Sequence, residues 1–334
     1  MVIKNYNELA TTPLRADALA ILEAGYKAIE TEAVVGANVS LLGDMLTIAG
    51  KEYDLKTYKR VFLVGIGKCA VDAARVIERV LGMRLSDGII VDVRGAILGR
   101  VKSFQGTHPL PSKENVRAAE SVKELLVEAN EDDLIVAVIS GGGSALLCLP
   151  HDMSCETLAR ITKALMTKGA TIEELNTVRK HLSDILGGQF AKLAYPARIA
   201  SLIFSDVPGD DISTIASGPT VLDTTTQEDA ERILAKYDVI TMCVLPHCVV
   251  TEPPKEEKWF EYVDNNLVLT NMIALTAMKD AAEARGYTAE IRSNKMTGEA
   301  REVGEQLARD EHTPHTVLLY GGETTVVLHG NGKG

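Results

Sequence analysis

Short, wholly apolar runs alternate with longer amphipathic segments along most of this 334-residue chain. The run VFLVGI at 61–66 is continuously apolar, which is typical of a parallel strand covered on both faces. Residues 14–32, in contrast, repeat their apolar side chains at the period of a helix. An alternation of this kind predicts an α/β fold with a Rossmann-like, doubly wound and mostly parallel sheet.

The same patterns predict the order of the elements. The first helix and strand are followed by helix 69–82, strand 87–92, a short strand at 101–106, helix 112–129, strand 134–139, helices near 154–168 and 171–184, strand 198–204 and a helix at 226–237. Later come strand 266–270, helix 271–285, strand 287–292, helix 298–309 and strands 316–320 and 324–329.

Two domains are expected, because the chain is about twice the usual domain length of roughly 100 to 200 residues. The periodicity fades between 238 and 262, where three of the eleven prolines lie. We therefore predict a large N-terminal domain at 1–240, a linker region at 241–262 and a smaller α/β domain at 263–334. The chain stops in a glycine-rich stretch just after a strand, so we expect the second domain to be truncated at its C-terminus.

Composition and charge exclude several classes of protein. Thirty-five basic and 46 acidic residues give a net charge of −11, which repels nucleic acid. No apolar run approaches the roughly 20 residues that cross a bilayer, so no membrane partner is expected. Five scattered cysteines and a start, MVIKNYNELATT, without a secretion leader predict a reducing, cytoplasmic location.

The loop after the first buried strand, GIGKCA at 65–70, fits the G-x-G-x-x-G/A dinucleotide pattern. Asp92 ends the next strand, where a ribose-binding acid could lie. A tight strand-to-helix turn with a solvated Lys68 explains the loop equally well. Lys68 stands at a helix start, however, where the helix dipole is already positive, and a cation there favours an anionic ligand.

A second glycine loop follows the strand at 134–139 and runs from Ser140 to Ser144. Successive glycines expose backbone N–H groups that can cradle phosphate or carboxylate oxygens, and a merely structural turn rarely needs three of them. The loop is not a Walker A motif, because no Lys-Ser/Thr pair follows it. The residues predicted here as binding groups are Ser140, Gly141, Gly142, Gly143 and Ser144, together with Gly67 from the first loop.

The long loop at 205–220 places four polar side chains, Ser205, Asp206, Asp210 and Asp211, around Pro208 and Gly209. Long loops in compact domains are usually functional, and clustered carboxylates suit a hard cation such as Mg²⁺. A solvated turn with Asx caps explains Asp211 well but three acids less well. We therefore favour Asp206 and Asp210 as magnesium ligands.

Four single residues complete the set of candidates. Asn176 and Arg179 share one face of a predicted helix. Arg179 could bind a carboxylate or phosphate in bidentate fashion, although a surface salt bridge fits the spacing as well. His108 and Glu323 each follow a short strand. A lone His or Glu at such a point is more often structural than catalytic.

Six stretches of the chain, in this order and spacing, resemble the glycerate 2-kinase family, whose members carry a MOFRL-type second domain. They are GIGKCA, THPLPS, ISGGGSALLCLP, ELNTVRKHLSDILGG, IFSDVPGDDISTIASGPTVLD and YGGETTVVLHGNGKG. The resemblance runs from about residue 10 to the end of the chain. It implies phosphorylation of D-glycerate to 2-phosphoglycerate with ATP and Mg²⁺, in a cleft between a larger Rossmann-like domain and a smaller α/β domain.

The resemblance also implies roles for single residues. Lys68 matches a lysine implicated in catalysis, and Asp210 matches an acidic residue that is implicated as well. Lys68 would neutralise charge on the transferred phosphoryl group, whereas Asp210 would hold Mg²⁺ or take the proton of the C2 hydroxyl. Glu323 would approach from the second domain. The predicted substrate- and nucleotide-binding set is Gly67, His108, Ser140, Gly141, Gly142, Gly143, Ser144, Asn176, Arg179, Ser205 and Glu323.

Two departures from the family pattern stand out. Leu186 and Gln189 replace a lysine and an arginine, which removes two positive charges near the predicted site. Family members also continue beyond Gly334, where the resemblance implies a catalytic arginine. Two other functions stay open: an NAD(P)-dependent hydroxypyruvate reductase, because GIGKCA and Asp92 fit that pattern, and a non-catalytic module that binds small anions. The choice between C2 and C3, the nucleotide preference and assembly into a homo-oligomer are also left open.

Overall fold

The computed structural model describes residues 2–239, 249–310 and 313–326. Part of the predicted linker at 241–262 and part of the predicted strand at 324–329 lie outside these residues. The chain forms two compact units that interleave in sequence. The sheet unit comprises Val35–Ser205 and Ile212–Val268, and the second unit comprises Met1–Val34, Asp206–Asp211 and Leu269–Gly334.

The chain begins with helices α1 (Tyr6–Leu9), α2 (Pro13–Ala28) and α3 (Thr31–Asn38). Thr12 caps α2, and Pro13 occupies its first turn, where a missing N–H costs nothing. Three strands then form a small antiparallel sheet in the order β1-β2-β3, with β1 at Val39–Leu42, β2 at Met45–Ile48 and β3 at Lys51–Asp54. The sequence patterns did not predict these strands.

The main sheet of the sheet unit has six strands, in the order β6-β5-β4-β7-β8-β9. The pairings from β6 through β8 are parallel. Numbered from β4, the order is 3-2-1-4-5-6, which is a doubly wound arrangement and confirms the predicted fold class. The strands are β4 (Arg60–Ile66), β5 (Asp87–Asp92), β6 (Val101–Gln105), β7 (Asp133–Ile139), β8 (Arg198–Phe204) and β9 (Val263–Leu269).

Helices cover the sheet. Phe190, which is fully buried, packs in one core cluster with Val122 and with Ile135 of β7. Ser112, Thr171 and Thr226 each form a capping box at a helix start. The helices are α4 (Ala70–Leu81), α5 (Lys113–Glu128), α6 (Gly143–Leu146), α7 (Cys155–Thr167), α8 (Ile172–His181), α9 (Gln189–Ala194) and α10 (Gln227–Lys236). Of these, α6 and α9 were not predicted.

The second unit contains α11 (Asn271–Glu283), β10 (Thr288–Met296), α12 (Ala300–Arg309) and β11 (Thr316–Gly322). Strands β10 and β11 pair in parallel. Helix α2 packs on α11 so closely that a Cβ on Gly25 would lie 2.7 Å from Cγ of Met278. The N-terminal helix therefore shares a core with the C-terminal residues, and Ile21 is buried together with Leu275 and Leu319. Among the described residues, no helix has the length and apolar character needed to cross a membrane.

Candidate anion-binding site

The order of the main sheet reverses between β4 and β7, and ligands of such sheets bind where this reversal occurs, beyond the strand ends. The loops after these two strands are joined by hydrogen bonds. The Lys68 N–H donates to the Gly141 carbonyl (3.1 Å), and the Ser140 N–H donates to the Ile66 carbonyl (2.9 Å). Gly67 has φ +113°, and a Cβ there would lie 2.1 Å from Oγ of Ser140. Only glycine fits this crossing.

The second glycine loop presents unused hydrogen-bond donors. The N–H groups of Gly141 and Gly142 bond to no described residue, whereas the Gly143 N–H donates to the Ser140 carbonyl at 3.1 Å. Gly142 has φ +82°, the left-handed conformation that turns successive N–H groups toward one side. Two adjacent free amides at a strand end form a concavity that accepts anionic oxygens.

Two basic side chains converge on Gly142. The Lys68 Cε and the His108 Cδ2 each lie 3.1 Å from the point that a Cβ on Gly142 would occupy. Lys68 is exposed, and its ammonium forms no ion pair with any residue that the structure describes. The site thus places an uncompensated positive charge beside two free amide donors, which is an arrangement suited to a phosphate or carboxylate group.

A chain of polar side chains fixes the end of the glycine loop. The Ser144 Oγ lies 2.8 Å from the Ser217 Oγ, and the Ser217 hydroxyl donates to Oδ1 of Asn176 (2.9 Å). The Asn176 Nδ2 donates to the Thr214 carbonyl at 3.3 Å. Asn176 is buried, so the structure gives this predicted binding residue a supporting contact behind Ser144.

Ser217 was not singled out by the sequence. It and Ala216 adopt positive φ values of 57° and 50°, which are unusual for residues other than glycine and recur at functional sites. Ala216 also packs closely on the glycine loop, because a Cβ on Gly143 would lie 2.5 Å from the Cβ of Ala216. The turn residues Ser-Gly-Pro at 217–219, inside the long loop, are the signal that could have identified this segment.

Asp92 has a structural task. Its side chain is fully buried, with Oδ2 accepting the Val71 N–H (3.0 Å) and Oδ1 accepting the Arg94 N–H (3.1 Å). The carboxylate thereby satisfies a backbone donor in the first turn of α4. Because the side chain is fully buried and out of reach of a ribose hydroxyl, the interpretation of Asp92 as a ribose-binding acid is wrong.

Arg179 lies on α8 and lines a small cavity next to Ser144. Burial lowers the pKa of its guanidinium group. Leu186, one of the two departures from the family pattern, lines the same cavity, and Gln189 begins α9.

The predicted acidic residues belong to the second unit. Asp206 and Asp210 lie in a turn where the Asp210 N–H donates to the Val207 carbonyl (3.3 Å), and Asp210 has φ +58°. Glu323 follows β11, and its N–H donates to the Met296 carbonyl at 2.9 Å. Ser205 follows β8 in the sheet unit and is buried. Within the described residues, no group of three or more His, Cys, Asp or Glu side chains is arranged to hold a metal ion.

The sheet order and the two glycine loops at the reversal point define a Rossmann-like protein whose loops are suited to an anionic ligand. Comparison with known proteins refines this class. Residues 17–248 match a family described as a domain of unknown function, DUF4147. The chain is 37% identical over 289 residues to the D-glycerate 2-kinase of Thermotoga maritima, an alignment that covers 82% of this chain and 68% of that protein. The chain therefore belongs to the glycerate kinase family.

Two further comparisons bear on this assignment. A protein of Agrobacterium vitis, named provisionally as a hydroxypyruvate reductase, is 40% identical over 282 residues, which cover 80% of this chain and 64% of that protein. The crystal structure of a glycerate kinase from Thermotoga maritima superposes with a TM-score of 0.78 at 32% identity. That superposition covers 96% of this chain and 77% of the other. The resemblance noted from the six sequence stretches is thus confirmed.

Proposed function

We propose that the chain is a D-glycerate 2-kinase, which transfers the γ-phosphoryl group of ATP to the C2 hydroxyl of D-glycerate and releases ADP and 2-phosphoglycerate. The observation that carries this proposal is the pair of free amides at Gly141 and Gly142 beside the unpaired ammonium of Lys68. Phosphoryl transfer needs positioned donors and positive charge far more than covalent chemistry.

Each group of this site has a task in the proposed reaction. The Gly141 and Gly142 N–H groups bind phosphate oxygens of ATP. Lys68 neutralises the charge that develops on the transferred group. His108, which reaches the same point of the loop, adds a second polar contact to the phosphate, and Ser144 closes the loop on the support of Ser217.

Asp206 and Asp210 are the residues that we propose for magnesium. They lie four positions apart on one kinked turn, and Mg²⁺ in kinase sites usually takes one or two carboxylates together with substrate phosphates. When bound, Mg²⁺ neutralises phosphate charge. Asp210 would either serve this site or accept the proton of the C2 hydroxyl as a general base.

The reductase alternative loses its structural support. A nicotinamide site of this type needs an accessible acid at the end of the second strand for the ribose, and Asp92 is fully buried, where it accepts the Val71 and Arg94 N–H groups. A non-catalytic anion-binding module would keep the glycine loop but show no turnover. The cytoplasmic location and the assembly state remain predictions.

Product analysis tests the proposed function. We expect ATP consumption only when D-glycerate and Mg²⁺ are both present, and we expect enolase to convert the product without added phosphoglycerate mutase. A requirement for the mutase would show phosphorylation at C3. Oxidation of NAD(P)H by hydroxypyruvate in the absence of ATP turnover would favour the reductase.

The magnesium assignment has its own test with a matched control. Asp210→Asn should lose nearly all turnover while its melting temperature stays that of the parent, because a missing transition-state contact of this kind typically costs about 10²-fold or more. Asp211→Asn, one residue away, should keep its activity. An Asp210→Asn variant that retains more than about a tenth of the activity would remove Asp210 from the site.

A further inference from the structure

A small cavity lies beside the glycine loop in the sheet unit. Its volume is about 10 Å³, which is room for about one water molecule. The residues lining it that matter here are Pro109, Ser144, Cys148, Thr162, Arg179 and Ser183. The cavity thus joins the His108-Pro109 segment, the end of the glycine loop and helix α8.

Arg179 brings an uncompensated charge to this cavity. Its guanidinium group forms no hydrogen bond or ion pair with any residue in the described ranges, and no Asp or Glu is found among the described lining residues. The neighbouring cation on the same helix behaves differently, because Lys180 is buried against Asp223 at 2.9 Å. Arg179 is half-buried, and a cation that loses part of its contact with water without gaining a counterion is unfavourable, so this arrangement favours the binding of an anion.

Ser183 offers a second donor in the cavity. Its Oγ accepts the N–H groups of Ile185 and Leu186, each at 3.2 Å, and the residue is buried. Because this oxygen already accepts two N–H groups, the Ser183 hydroxyl proton is available to donate to a ligand. A guanidinium fork and one hydroxyl together match the two oxygens of a carboxylate.

The size of the cavity selects the ligand. A space for about one water admits one oxygen of a small anionic group and excludes a polyphosphate or a base. Ser144 lines the cavity and also ends the glycine loop, so a group held here lies next to the proposed phosphate site. We propose that Arg179, assisted by Ser183, binds the carboxylate of the substrate acid and makes the enzyme specific for hydroxy acids over polyols. The identity of the substrate in this inference rests on the proposed function, whereas the binding of an anion by Arg179 does not.

Steady-state kinetics separate a carboxylate contact from a structural one. We expect Arg179→Met to raise KM for D-glycerate by about 10- to 100-fold, which is the usual loss for hydrogen bonds to a charged group, while KM for ATP changes by less than about twofold. Arg179→Lys, which keeps the charge without the fork, should fall between the parent and Arg179→Met. Arg117→Met, an exposed arginine of α5 paired with Glu114, is the matched control and should change neither constant.

Ligand binding without turnover keeps this inference distinct from the proposed function. D-glycerate and acetate should raise the melting temperature of the ATP-free parent, glycerol should not, and Arg179→Met should abolish the response. This result would hold even if no kinase activity were found. An unchanged KM for D-glycerate in both Arg179 variants, or an increase in KM for ATP alone, would overturn the inference. If Arg179→Met fails to fold, the same comparisons are made with Arg179→Lys.

Discussion

The Cε of Lys68 lies 3.1 Å from the point where a Cβ on Gly142 would stand, so the lysine that follows β4 lies over the glycine loop that follows β7. These two residues are 74 positions apart in the chain, and the parallel pairing of β4 with β7 brings their loops together. The contact explains why the loop needs glycine at this point for space as well as for conformation. It also makes the site sensitive to a single methyl group.

Gly142→Ala should therefore impair both stability and activity. The positive φ of 82° alone should cost roughly 1 kcal/mol, and the new methyl group would displace Lys68 and His108. Gly169→Ala is the matched control, because Gly169 has φ +80° with no atom within 4 Å of its added Cβ. We expect similar losses in chemical denaturation for the two variants and a loss of kcat only for Gly142→Ala. Equal kcat values would mean that the contact with Lys68 is irrelevant.

Lys68→Ala should lower kcat by at least about 10²-fold with a smaller effect on KM for D-glycerate, because the ammonium acts on charge that develops in the transition state. Lys163→Ala provides the control, since Lys163 is also exposed but lies on α7. Stability should change by no more than about 0.5 kcal/mol in either variant. A kcat within about threefold of the parent would show that Lys68 is a surface residue of the turn without a catalytic role.

Asp92→Asn should destabilise the fold without a specific effect on nucleotide affinity. An amide oxygen can replace only one of the two acceptors that serve Val71 and Arg94, and a buried backbone donor left unpaired costs about 1–3 kcal/mol. Asp72→Asn, which changes a half-buried carboxylate paired with Arg94 and Arg75, is the control and should cost much less. Urea unfolding measures both variants. A weaker nucleotide affinity at unchanged stability would show that Asp92 is a ligand-binding residue after all.

Glu174 predicts a pH dependence of stability. Hydrogen bonds from Lys236, Tyr237 and the Thr171 N–H lower the pKa of its carboxyl from 4.5 to about 2. A depressed pKa stabilises the folded state above 4.5, and this contribution is lost as the pH falls toward 2. Glu174→Gln should thus be less stable than the parent at neutral pH, with the difference shrinking between pH 4.5 and 2.

The control for this titration is Glu173→Gln, an exposed neighbour on α8. Its stability should follow that of the parent across the same pH range. Thermal unfolding at closely spaced pH values makes the comparison. A constant difference between Glu174→Gln and the parent at every pH would show that the carboxylate contacts contribute no charge-dependent stability.

The main sheet could be predicted because its strands are buried on both faces. Strand β8 was predicted at its observed bounds, and β5 likewise, since continuous apolar runs carry a clear signal. The small sheet β1–β3 was missed because its strands have four residues each, too few for a period to stand out. Helices α6 and α9 escaped for the same reason of length.

The residue types of the candidate site were easier to predict from the sequence than the contacts between them. The glycine loops and Lys68 are local features, so their residue types and their positions after strands were enough to identify them. Three features could not be predicted in this way: the hydrogen bond between Ser144 and Ser217, the unpaired state of Arg179 and the packing of α2 on α11. Each of these depends on residues distant in the chain whose proximity no local pattern encodes.

The sequence by itself determined the fold class, the positions of the two glycine loops and the family, because periodicity and short motifs are properties of neighbouring residues. The tertiary structure decided what the polar side chains do. Asp92 became a cap and not a ligand because folding brings two backbone N–H groups to its oxygens. Arg179 was left half-buried and without a counterion because folding places it where no described carboxylate reaches it. Burial and pairing arise only when distant segments pack together, and they set the free energy of a charged group.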